Sequence, residues 1–107
     1  MRRSEQRAVR SQLVRLMTPI LTWQARPAHR SPSWVATINH ARQEIWDAQE
    51  ETPSITDEVI QGLWDRCFQR ARQQAEDETG QPITPPSLSW QEVLHTRYRV
   101  ERPTSST

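Results

Sequence analysis

Where the prolines fall restricts this chain more than any other feature. A proline cannot donate a backbone hydrogen bond and its ring crowds the preceding turn, so it ends a helix or a central strand unless it sits in a first turn. Pro27, Pro32, Pro53, Pro82, Pro85 and Pro86 therefore bound three long runs and one short one, and Pro19 is the only proline inside a run. Within these runs apolar residues recur every three or four positions, which is the helical repeat. No segment alternates with period two for long enough to make a strand. No internal repeat is present.

The first run predicts a helix over 4–24. Val9, Leu13, Leu16, Met17 and Ile20 share one face, Ser4 stands at its start as a cap, and Pro19 predicts a kink or a division into two shorter helices. The second helix begins in SPSW, with Ser31 as cap and Pro32 at the first helical position. Its stripe is Trp34, Ile38, Ala41, Ile45 and Ala48, with His40, Arg42, Gln43, Glu44 and Asp47 largely on other sides, and ETPS at 51–54 stops it. The third runs from about Ser54 to Glu78 on an inner line of Val59, Leu63, Cys67 or Phe68, Ala71 and Ala75, and Gly80 closes it. QPITPPS crosses the surface as extended chain. A capping box, Ser89 with Glu92, then opens a short last helix that buries Leu88 or Trp90 with Val93 and Leu94. The expected fold is all-α: an antiparallel bundle of three main helices and a short fourth, one domain over 1–99 with a flexible tail at 100–107.

Composition limits the function classes. Only 34% of the 107 residues are apolar and the mean hydropathy is −0.89, so the core is small, and five Trp supply a large part of it. One cysteine excludes an internal disulfide and a cysteine-based zinc cage. No apolar run approaches the roughly 20 residues of a membrane span, and no secretory signal is evident, so the chain reads as soluble and cytoplasmic. All 14 basic residues are Arg. They are unevenly placed: residues 1–30 hold seven Arg against Glu5, whereas residues 31–80 hold four Arg against ten acids.

Between the first two helices lies WQARPAHRSPSW, in which Trp23 and Trp34 bracket the joint and Arg26, His29 and Arg30 are left without a structural task. The run SEQRAVRSQL with LTWQARPAHRSPSWVATI, followed by ARQQAEDETGQPI, resembles the domain-of-unknown-function family DUF29, small helical proteins abundant in cyanobacteria. The match spans roughly residues 2–95. Ser4-Glu5 with Arg7, Trp23-Gln24, the Pro27–Trp34 joint and Glu78-Thr79-Gly80 carry it. The resemblance implies an all-α fold and no established activity. It also implies an acidic amphipathic segment ahead of Met1, in whose absence the first helix would expose an apolar surface. The proline-rich connection after Gly80 is shorter than the family pattern, and His29 stands where a second arginine is usual.

Few residues suggest chemistry. Arg3, Arg7 and Arg10 share one helical side, and they either grip phosphates or pair with the acidic helices. His40, Glu44 and Asp47 share a stripe that would suit a metal, but without a second supporting motif. Glu76, Asp77 and Glu78 point in different directions and read as a solvated helix end. Ser31, Ser33 and Cys67 lack the setting of a nucleophile, and two glycines leave no phosphate-cradling loop, so neither an enzyme nor a cofactor is indicated. Trp46 and Trp64 lie beside the inner faces as anchors or edge packing. The expected function is a non-enzymatic protein-interaction module with a protein partner or self-association. The alternative is nucleic-acid binding through Arg3, Arg7, Arg10, Arg26 and Arg30.

Overall fold

A computed structural model describes residues 3–26 and 31–99, with side chains from residue 6 onward. His29, Arg30, the side chain of Arg3 and the tail at 100–107 lie outside the described residues. Four helices follow one another: α1, Arg3–Ala25; α2, Pro32–Glu51; α3, Asp57–Thr79; and α4, Trp90–Leu94. No strand occurs among the described residues, and the all-α expectation of three main helices and a short fourth holds.

α1 is the helix that the others share. It packs along both α2 and α3 and touches α4, whereas contacts among the other helices are sparse. The sequence explains why, since Val9, Leu13, Val14, Leu16, Met17, Ile20, Leu21 and Trp23 are all buried. Their positions span much more of the helix circumference than a one-sided stripe would. Two flanking helices are needed to remove such a surface from water. The apolar first-helix surface expected to be exposed is therefore covered by α2 and α3. Trp46 is the large hydrophobic side chain left exposed among the described residues.

Side-chain bridges give the directions. The Cys67 thiol donates to the Arg10 carbonyl at 3.7 Å, Thr18 Oγ1 lies 3.3 Å from Gln74 Oε1, and Arg26 donates to the Thr79 carbonyl at 2.8 Å. Position advances together on both helices, so α1 and α3 run parallel. α2 returns between them in sequence and antiparallel to both. Its start is held by Trp23 against Trp34, with ring centroids 6.5 Å apart, and its end by Gln49 donating to Asp57 at 2.9 Å.

Local signals decide the helix ends. Thr56, not Ser54, caps α3 by accepting from the Val59 amide at 3.3 Å, because the turn at 53–54 keeps those residues out of the helix. Gly80 closes α3 at φ +67°, a conformation that costs other residues a steric clash. The Ser89–Glu92 capping box forms with both of its bonds, at 3.0 and 2.9 Å. Three expectations need correction. α1 is one helix through Pro19 and not two shorter ones, and it begins at Arg3, so Ser4 lies inside its first turn. Ser31 precedes α2 but its hydroxyl faces Ser33 at 2.9 Å and makes no capping bond. The inner line of α3 runs through Ile60 rather than Val59 and Leu63, which are only partly buried.

The main departure is Arg42, placed by its polarity away from the core and found only 5% exposed. Its Nε donates to the Val93 carbonyl at 2.8 Å and its terminal nitrogen to Glu92 at 3.3 Å. These carbonyls end α4, where no further turn can satisfy them. A cation there also complements the helix dipole. Tyr98 closes the site: its hydroxyl donates to the Glu92 carbonyl at 2.7 Å, its ring lies 5.6 Å from the guanidinium, and its edge meets Trp23 at 5.6 Å. Burial lowers the pKa of Arg42, and the nearby Tyr98 opposes that shift. Burial raises the Tyr98 pKa, with the Glu92 carboxylate adding to it and Arg42 acting against. Replacing Arg42 with Ala strands the Val93 carbonyl, leaves the Glu92 carbonyl only its bond from Tyr98 and removes charge-assisted bonds, so it should cost about 2–3 kcal/mol in urea unfolding. Arg42→Lys should recover only part of this, and a cost below about 0.5 kcal/mol would show that water replaces the guanidinium.

Candidate functional site

Because α2 and α3 flank α1 without closing over it, one strip of α1 stays open beside α3. Arg7, Arg10 and Arg15 reach this strip from α1, and Arg66 and Arg70 reach it from α3. Ser11, Val14, Cys67 and Gln74 complete the lining of a groove of about 690 Å³. Spacing puts them there: residues 7, 10, 11, 14 and 15 recur at three- and four-residue steps, and so do 66, 67, 70 and 74. The parallel register then brings the two sets side by side.

None of these five guanidiniums lies within ion-pairing distance of a carboxylate among the described residues. The side-chain ion pairs found there are His40 with Glu44 at 3.5 Å and Arg72 with Glu76 at 3.7 Å. Two acids of α3 are engaged elsewhere. Asp77 accepts from Gln73 at 3.0 Å, and Glu76 accepts from the Ile83 amide at 3.0 Å. The groove thus carries five like charges with no internal counter-charge, which is an anion site in electrostatic terms. Pairing of Arg7 and Arg10 with the acidic helices is not found.

The groove continues. A second hollow of about 260 Å³ shares Arg15 and Gln74 with the first and extends past Thr18, Pro19, Thr22, Thr37 and Glu78 to Trp34. Together they form a trough along α1, basic toward the helix start and hydroxyl-rich and aromatic toward its end. Thr18 and Thr22 are spent on their own helix, donating to the carbonyls of Val14 at 2.8 Å and Pro19 at 3.0 Å.

The other residues singled out from sequence are placed differently. Arg26 is tied to the Thr79 carbonyl and caps the end of α3. Trp64 is half-buried, with its indole donating to the Leu88 carbonyl at 2.8 Å and its ring stacked on Trp90 at 5.3 Å, so it fixes the connection before α4. Trp46 is 40% exposed on the outer side of α2. Asp47 accepts from Gln43 at 2.9 Å rather than joining His40 and Glu44, and no set of three His, Cys, Asp or Glu converges on an ion position among the described residues. No described helix is long and apolar enough to cross a membrane. Arg15, Arg66 and Arg70 went unnoticed in the sequence. Their signal was the four-residue step from Arg66 to Arg70 beside Cys67, but its meaning depends on the register between α1 and α3.

Cys67 lies on the trough floor, 2% exposed. Burial pushes its pKa up, and Arg10, Arg66 and Arg70 partly offset this. The folded state therefore favours the protonated thiol. The contribution to stability is complete below the ordinary thiol pKa and is lost as pH rises through the higher folded value. Its reaction with a disulfide reagent at neutral pH should be at least about tenfold slower in the folded than in the urea-unfolded protein, and equal rates would contradict this burial. Mutual repulsion across the trough gives a second expectation. Arg70→Gln removes a like charge four residues from Arg66 and should raise the urea midpoint at low salt, with the gain fading in high salt. A lowered midpoint would mean that Arg70 has a stabilising partner.

Comparison with known proteins supplies the family and little else. The family model described as domain of unknown function DUF29 matches residues 1–99. No curated protein and no solved structure matches. With nearly its whole length covered by that model, the chain belongs to the DUF29 family.

Proposed function

We propose that this protein is a non-enzymatic interaction module whose trough takes an acidic segment of a protein partner. One observation carries the reading: five guanidiniums from α1 and α3 line a single groove with no carboxylate among the described residues to neutralise them. A planar guanidinium binds carboxylates through two parallel hydrogen bonds, so a row of Asp or Glu side chains suits it. The groove is concave and lies between two helices, which suits one chain segment and not a duplex about 20 Å across.

Support for nucleic-acid binding is weaker. Of the arginines expected to act together, Arg7 and Arg10 line the trough, but Arg26 is engaged at Thr79 and stands sixteen residues, about 24 Å of helix, beyond Arg10.

A labelled glutamate-rich peptide titrated in fluorescence anisotropy tests the reading. Binding should weaken at least about tenfold for Arg66→Glu/Arg70→Glu and weaken steadily as salt rises. Absence of binding at low salt, or equal binding by the double variant, would overturn it. Tighter binding of a single-stranded oligonucleotide than of the peptide, lost in the same variant, would move the function to the nucleic-acid alternative.

A further inference from the structure

The outer side of α2 carries the chemistry that the trough lacks. Glu44, Asp47, Glu50 and Glu51 fall on one arc of that helix, opposite the buried Ile38, Ala41 and Ile45. Glu44, Glu50 and Glu51 are exposed, and the one arginine of α2, Arg42, is turned into the core and engaged there. Trp46, the large hydrophobic side chain left exposed among the described residues, lies on the edge of the same arc. The arc therefore combines four carboxylates with an aromatic ring, and it shows no arginine partner among the described residues.

We infer that the occupant of the trough is a second copy of this chain, which presents the α2 face of Glu44, Asp47, Glu50 and Glu51 with Trp46 as its anchor. This rests on the reading of the trough as a site for an acidic segment. Charge complementarity argues for it, since four carboxylates face five guanidiniums. Dimensions agree as well: Glu44 to Glu51 spans about 10 Å of helix and Arg7 to Arg15 about 12 Å. The stems of the trough arginines give the indole an apolar surface, and a guanidinium can lie over its face. The contact is necessarily between molecules. α2 turns its apolar side to α1, so its acidic face points away from the trough of its own chain.

Each copy carries one face and one trough, so the contact is of the head-to-tail kind, closing on itself or growing into longer assemblies. Two sets of variants separate the halves: Arg66→Glu/Arg70→Glu spoils the trough, and Trp46→Ala/Glu50→Arg spoils the face. Sedimentation at low salt should show wild-type mass rising with concentration and falling toward the monomer as salt is added. Each variant alone should stay monomeric at concentrations where wild type associates, and an equimolar mixture should form a one-to-one pair through its single intact contact. Circular dichroism matching wild type establishes that each variant folds. A wild-type monomer at all concentrations in low salt, or folded variants that fail to pair on mixing, would overturn the inference. In that event, retained binding of the glutamate-rich peptide would leave the trough reading standing with a different partner, whereas loss of both would remove the trough reading as well.

Discussion

Everything in this structure depends on α1 being apolar over about half of its circumference, wider than the stripe of a one-sided helix. A helix of that kind cannot be satisfied by one neighbour, so α2 and α3 lie on either side of it and their own mutual contact is slight. The strip of α1 that remains open is the strip where its sequence places Arg7, Arg10 and Arg15. Apolar burial thus determines where the charges go. The trough is what remains of the α1 surface once the core has been built.

Arginine serves two separate purposes here. Arg42 of α2 and Arg26, just past α1, act inside the fold by donating to carbonyls at the ends of α4 and α3 respectively. Neither needs a carboxylate, because the negative end of a helix and its unpaired carbonyls take that part. The trough arginines have no such partner among the described residues, and burial of a thiol beneath them shows how closely they border the core. Two environments for one residue type separate structural charge from charge available to a partner.

Much of the fold was legible because it depends on local rules. Gly80, the Ser89–Glu92 box, Pro32 at a first turn and the Trp23–Trp34 clamp act within a few residues or across one joint, and the structure places each as its chemistry suggests. Pro19 does not divide α1, because tertiary packing on both sides holds the helix through the missing hydrogen bond. Arg42 misled because polarity is a poor guide when unsatisfied carbonyls from a distant element, Glu92 and Val93, come to meet the side chain. The trough was half legible. Arg7 and Arg10 declare themselves by spacing along one helix, but Arg66 and Arg70 join them only through the parallel register of α1 and α3, which no short-range pattern encodes.

The central claim is that five particular arginines share one anion site, and the arginine Nε–H resonances of the protein observe it directly, since the sequence has no lysine. Titration with a small polyanion such as tripolyphosphate should shift the signals of Arg7, Arg10, Arg15, Arg66 and Arg70 together along one saturating curve, while Arg26 and Arg42 stay in place. Uniform, non-saturating shifts across all exposed arginines, or no response from those five, would contradict the claim.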